Sequence, residues 1–325
     1  MSSGFGSTRV AVLGGGLAWL SAARSLIEMG FQVSLIEKRP FLGGRAFSFY
    51  SHETDSEVDN GQHVFMGCCT YYIDFVRALG AYCDATLQDS LHAEIVLNGK
   101  KGTLSSAPVL GPLHLMPSFL RYPHLGISDK IRAAYGLVRA GLTDRRKNSR
   151  MLDSETFYNW LKRNQQSERT IQNFWNLVIL PTLNDDVGNV SADMALKVIK
   201  EGLLRRPADA AIGYARVGLS SLAGLPGQRF IEQHGGSVLL RTTVRSLLFD
   251  DDRICGVQLS DGSSLTADAY LIALPHDILL DCLPTERAAD PFFANVAELQ
   301  SSPIVGVHLW YDRHVMEEPF IAFIN

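Results

Sequence analysis

The feature that most restricts the fold lies near the N-terminus. An apolar run, Val10–Leu13, breaks into Gly14-Gly15-Gly16-Leu17-Ala18-Trp19, and Leu20, Ala23, Leu26 and Ile27 then recur at helical spacing. A continuous apolar run suits a parallel strand covered on both faces. Gly30 stands where a helix C-cap would, and Phe31–Glu37 reads as a second strand. Strand, glycine turn, helix and strand in this order make a βαβ unit, with a right-handed crossover expected. Arg9 followed by Val10 to Ala23 also has the outline of a secretory signal. Three consecutive glycines and a second strand at βαβ spacing favour the structural unit. Residues 1–8, rich in Ser and Gly, are expected to fray.

Such a turn has a chemical use. Glycines at 14 and 16 let backbone N–H groups approach a pyrophosphate at the positive end of a helix. Glu37, 23 residues past Gly14, ends the second strand where a carboxylate can accept hydrogen bonds from ribose hydroxyls. Trp19 stands where the third glycine of G-x-G-x-x-G normally permits close helix–strand packing, so overpacking of about 1–3 kcal/mol is expected there. Pro40-Phe41-Leu42-Gly43-Gly44-Arg45 follows. Two glycines before an arginine suit a loop passing close to a dinucleotide, with the guanidinium on a phosphate.

Composition removes other classes. The chain has 325 residues, 20% of them charged, and a net charge of -4, which gives no support to nucleic-acid binding. Its length accommodates two domains. Five cysteines without C-x-x-C spacing point away from a disulfide framework or zinc site and fit a reducing cytoplasm. No apolar run is long enough to span a bilayer. Cys68-Cys69 reads as buried packing, and Asp185-Asp186 and Asp250-Asp251-Asp252 as solvated turn acids, so no metal is expected.

Further along, four prolines punctuate an apolar stretch over 106–123, and an amphipathic helix is expected over Ser128–Leu142. The basic cluster Arg145, Arg146, Lys147 and Arg150 follows, read either as a solvated loop or, with the apolar stretch, as peripheral contact with a bilayer. From Ser237 the pattern changes to short strands, Ser237–Leu240, Val244–Phe249, Ile254–Leu259 and Ser264–Ala267, with Asp261-Gly262 as a two-residue turn. Tyr270–Ala273, a continuous apolar run ending at Pro275, reads as a buried parallel strand. Pro303–Tyr311, containing a structural His308, and Phe320–Ile324 read as further strands, the last an uncovered apolar edge.

These residues carry a resemblance. The acidic strand end followed by Gly-Gly-Arg resembles the flavin amine oxidase and carotenoid desaturase group of FAD enzymes. Within it, the segment Asp59-Asn60-Gly61-Gln62-His63-Val64-Phe65-Met66-Gly67-Cys68, with Asn173-Phe174-Trp175, Leu183-Asn184, Leu219–Gln228, Ala273-Leu274-Pro275 and Ser302–Trp310, is similar to the hydroxysqualene dehydroxylases. The resemblance implies that Gly14, Gly16, Glu37, Gly44 and Arg45 hold FAD, that Gly61, Gln62 and His63 line its isoalloxazine, and that the Val244 backbone meets the adenine. His63 is the candidate for proton delivery near the flavin, against a purely structural hydrogen bond in its loop.

The expected fold is α/β: a Rossmann-like FAD domain from residues 1–105 and 220–280, and an interposed α+β substrate domain from 106–219, mainly helical, and 281–325. The resemblance implies reductive removal of the hydroxyl of hydroxysqualene to give squalene, with an external reductant for the flavin. A long-chain isoprenoid substrate would enter by an apolar tunnel whose mouth lies over 106–142. The nearer rival is a carotene desaturase of the phytoene or zeta-carotene type. A non-catalytic flavoprotein remnant is the more distant one, favoured by Trp19 and by an expected C-terminal truncation that would leave the chain poorly soluble, weak in flavin retention and inactive.

Overall fold

The computed structural model describes residues 8–109 and 111–324. Residues 1–7, Leu110 and Asn325 lie outside it, and with them most of the segment expected to fray and one apolar residue of the expected tunnel mouth. Contacts divide the chain into a first unit, Met1–His63, Tyr71–Ala85 and Ala215–Ser301, and a second, Val64–Thr70, Thr86–Tyr214 and Ser302–Asn325.

In the first unit, strand β1 (Arg9–Leu13) leads through helix α1 (Leu17–Glu28) into strand β2 (Gln32–Ile36). Strands β3 (Ser237–Leu239), β4 (Val244–Asp250), β5 (Arg253–Leu259) and β6 (Ala269–Ile272) come from the far end of the sequence. The parallel sheet has the order β3-β2-β1-β6, so β1 has neighbours on both sides. Alternate β1 side chains point to opposite faces, as the strand period requires. Val10 and Val12 pack with Leu20 and Ala23 of α1 and with Ile231 of helix α2 (Leu225–Gln233). Ala11 and Leu13 pack with Leu247 and Val257 of the β4–β5 hairpin and with Cys282 of helix α3 (His276–Cys282). A continuous apolar strand is therefore what a three-layer arrangement demands.

The expected short strands divide between two sheets. Ser237–Leu239 joins β2 in parallel, whereas β4 and β5 pair antiparallel with each other and β5 with Ser264–Leu265. The Asp261-Gly262 turn is longer than two residues. Leu259 N donates to Ser263 O at 2.8 Å around a loop that holds Gly262 at φ +87°.

The second unit has a helical core and an antiparallel hairpin, His92–Leu97 with Lys100–Ser105. At its centre Phe157 stacks on Trp160, while Trp175 meets Phe157 and Phe174 edge-to-face. Ile321–Phe323 adds in parallel to His92–Leu97, with Ala322 and Ile324 against the core, so the expected uncovered edge is paired and only partly exposed. Residues 86–105, expected with the first domain, fall in the second unit, where Leu91, Ile95 and Leu104 join the core. Residues 281–301 go with the first unit, where Cys282 and Leu283 pack with β4 and Arg287 pairs with Asp252 and lies 5.2 Å from the Phe249 ring centroid. Pro303–Tyr311 is not a strand: it is exposed, without regular structure, and His308 is exposed with it. The basic cluster is not a loop either, but the helix Arg145–Asp153, whose N-cap Asp144 accepts from Lys147 N at 3.2 Å. The helix expected from Ser128 begins at Ile127.

Candidate dinucleotide-binding site

The sheet order turns outward in both directions from β1, so the carboxyl ends of β1 and β6 frame a topological switch point, the place where open α/β sheets hold ligands. A cavity of about 620 Å³ lies there, within the first unit. Its walls are the turn Gly14–Trp19, the end of β2 with Glu37, Lys38 and Arg39, the loop Gly43–Ala46, His63, the segment Thr242–Val244, and Ala273–His276 after β6.

The turn is built from its glycines. Gly14 sits at φ +110°, and a Cβ there would meet the Trp19 indole at 2.6 Å. The Gly-Gly-Arg loop is laid directly on this turn. Gly43 N donates to Gly15 O at 2.8 Å, and a Cβ on Gly44, at φ +61°, would come 2.8 Å from Gly16 Cα. The second glycine pair therefore makes room for the first, a closer reason for Gly43-Gly44 than approach to a ligand.

Glu37 is buried, with both carboxylate oxygens on backbone amides: Gly15 N at 2.7 Å and Arg39 N at 2.8 Å. Each oxygen keeps capacity for a further donor. Arg39, which sequence reasoning did not single out, locks the neighbouring loop. Its Nη1 donates to Gly44 O at 2.9 Å, and its guanidinium lies 4.9 Å from the Phe47 ring centroid. Arg45 and Lys38 are exposed on the cavity wall, and among the described residues neither has an ion-pair partner. At the head of α1, Gly16 offers no side-chain cap and the first turn carries no acid, so the helix N-terminus is left to an anion.

Trp19 does not wedge the helix from the sheet. Its indole is buried along Gly14, and Nε1 donates to Ala273 O at 3.0 Å, across the switch point. The expected overpacking is absent because the missing Cβ of Gly14 accommodates the ring, while α1 still seats Leu20 and Ala23 in the core.

Of the three residues expected beside an isoalloxazine, His63 lines the cavity, and Gly61 and Gln62 do not. His63 is exposed, with Nδ1 2.9 Å from Gly61 O. That contact assigns the proton to Nδ1 and leaves Nε2 as the acceptor. Val244 starts β4 on the cavity wall. The preceding Thr242 N donates to Glu37 O at 3.0 Å, which ties the two ends of the site together. Thr242, Thr243 and His276 were not legible as site residues, because they reach the cavity only through strands paired far along the chain.

In the second unit, Cys68 and Cys69 are not buried packing: Cys69 is exposed and Cys68 half-buried. The hydrogen bond from Cys68 pulls the Cys69 thiol down to about 6 from 9.0. Asp185 and Asp186 turn their carboxylates onto Asp186 N, Gly188 N and the Asn189 amide, holding a turn.

A family model described as flavin-containing amine oxidoreductase matches residues 17–320. Zeta-carotene desaturase of Zea mays is 30% identical over 331 residues, covering 95% of this chain and 57% of the relative. The 15-cis-phytoene desaturase of Synechococcus elongatus is 27% identical, covering 97% of this chain and 68% of the relative. The chain thus spans little more than half the length of the plant relatives it matches. Among solved structures, an oxidoreductase from Methanosarcina mazei superposes with a TM-score of 0.66 at 17% identity, covering 90% of this chain and 65% of the other, a likeness of fold. The chain belongs to the flavin-containing amine oxidoreductase family, whose cofactor is FAD, and its homologues are carotenoid desaturases.

Proposed function

We propose that the protein is an FAD-dependent desaturase of a long polyisoprenoid hydrocarbon of the carotene type. One observation carries the reading: a switch-point cavity with an open helix N-terminus and a buried acid, in a chain similar to carotene desaturases over 95% of its length. The residues present fit the dinucleotide. The amides of Leu17 and Ala18 and the side chains of Lys38 and Arg45 would hold its phosphates, Glu37 a ribose, and the Val244 backbone the adenine. When bound, the flavin supplies a site that accepts or returns a hydride.

Desaturation removes a hydride and a proton from adjacent carbons and hands the electron pair to an external acceptor. His63, with Nε2 free to accept, lies on the cavity wall and is suited to hold that proton. A hydrocarbon offers no polar handles, so substrate orientation would fall to apolar side chains and exclusion of water.

Hydroxysqualene dehydroxylation, the first expectation from sequence, becomes the second reading. It is supported by the segment Asp59–Cys68, whereas the Zea mays and Synechococcus elongatus relatives are desaturases. The remnant reading loses the support it drew from Trp19, whose side chain is housed and hydrogen-bonded. The test incubates the FAD-loaded full-length protein with phytoene or zeta-carotene and a quinone, and separately, under reducing conditions, with hydroxysqualene. A lengthened polyene in the first arm is expected. Squalene in the second arm alone would select dehydroxylation, and no product in either would overturn both.

A further inference from the structure

We infer that the helix Ile127–Leu142 of the second unit docks on an anionic lipid bilayer, lying in the plane of its surface. This inference does not rest on the proposed reaction.

The helix inverts the usual arrangement of an amphipathic surface helix, which turns its large apolar residues inward. Its inward face is small: Ala133, Gly136 and Ala140 are buried, and a Cβ on Gly136 would already meet Trp175 at 2.8 Å. Apart from Leu137, which packs against the core, its large apolar residues face outward. Ile127, Ile131, Tyr135, Val138 and Leu142 are 81%, 66%, 43%, 58% and 75% exposed. Their spacings of four, four, three and four residues place them in one stripe, diametrically opposite the buried face at 3.6 residues per turn. A stripe running the length of a helix of about 24 Å is not scattered surface apolarity, and contiguous apolar surface of this kind marks an interaction site.

The charges choose among occupants. Lys130 stands on one shoulder of the stripe, and Arg132 and Arg139 on the other. Lys130 Nζ donates to Leu120 O at 2.6 Å, Arg132 Nη1 to Gln165 O at 2.7 Å and Arg139 Nε to Asn164 Oδ1 at 3.1 Å. Among the described residues none of the three is paired with a carboxylate. Residues 113–153 contain eight Lys or Arg and three Asp in a chain whose net charge is -4. An apolar stripe flanked by cations without carboxylate partners complements a bilayer of anionic headgroups over acyl chains. A second copy of this chain would set these like charges against one another.

The test is flotation of the purified chain with phosphatidylcholine vesicles, with and without phosphatidylglycerol. Binding is expected on the anionic vesicles, weakening as salt is raised. The double variant Ile131→Gln/Val138→Gln should bind at least about tenfold more weakly. Both positions are exposed, so its circular dichroism and melting should match the parent. Arg146→Gln/Arg150→Gln should lower the preference for anionic over neutral vesicles. Light scattering without lipid covers the other occupant. A parent dimer that the Ile131→Gln/Val138→Gln change converts to monomer, with no vesicle binding, would assign the stripe to self-association and overturn the proposal. So would vesicle binding that is unchanged in that variant.

Discussion

The indole nitrogen of Trp19 donates to the carbonyl oxygen of Ala273 at 3.0 Å, joining the first turn of α1 to the end of β6 across the mouth of the cavity. This contact reverses the expectation that the bulky residue strains the turn. Trp19→Gly empties a buried site and weakens the helix start, a loss of about 3–5 kcal/mol from the cavity and about 1 kcal/mol from propensity. Trp19→Phe keeps most of the packing and strands the carbonyl, costing about 1 kcal/mol. Urea denaturation measures both, and a glycine variant more stable than its parent would restore the overpacking argument.

Glu37 holds Gly15 N and Arg39 N while facing the cavity. Glu37→Ala should weaken FAD binding by about 1.5–3 kcal/mol for the lost charge-assisted bond, and lower stability as well by freeing two amides. Glu37→Gln retains an acceptor oxygen and should fall between the two. Fluorescence titration of FAD, paired with melting curves, separates these effects. Unchanged affinity in Glu37→Ala would remove the acid from the site.

The contact of Gly44 with Gly16 gives a sharper test of the loop-on-turn arrangement. Gly44→Ala adds a Cβ 2.8 Å from backbone at a positive φ and should destabilise by about 1–3 kcal/mol. Gly61→Ala has nothing within 4 Å and is the control, expected to be near neutral. Equal melting temperatures for the two variants would contradict the close approach.

Cys69 should alkylate as a thiolate at unusually low pH. Its hydrogen bond from Cys68 lowers the thiol to about 6, so reactivity with iodoacetamide is full well above that value and lost as pH falls through it. Cys68→Ser should alter the midpoint by replacing the donor, and Cys68→Ala should raise it toward 9.0. Peptide mapping by mass spectrometry distinguishes Cys69 from the exposed Cys83 and Cys255. An ordinary thiol midpoint in the parent would refute the pairing.

What the sequence disclosed was local. β1, the glycine turn, α1 and Glu37 fall within 30 residues, and their periodicity and spacing follow from one supersecondary unit. The fate of Trp19 depends on Ala273, 254 residues away, and no local pattern encodes that meeting. Ser237–Leu239 is too short for alternation to distinguish a parallel strand from an antiparallel one. Pro303–Tyr311 shows the opposite failure. Its apolar alternation is a strand signal, but pairing needs a neighbour, and no described strand lies alongside it. Gly43-Gly44 stands out in the sequence, yet its cause, the backbone of Gly16, is visible only in three dimensions.

The proposed chemistry depends on the cavity between β1 and β6 holding the dinucleotide of FAD, and calorimetric titration of FAD into the purified chain decides whether it does. One FAD per chain is expected, with competition by ADP and with affinity lowered at least about tenfold by Glu37→Ala in protein whose circular dichroism matches the parent. No heat of binding from natively folded chain, or binding indifferent to both ADP and Glu37→Ala, would contradict it.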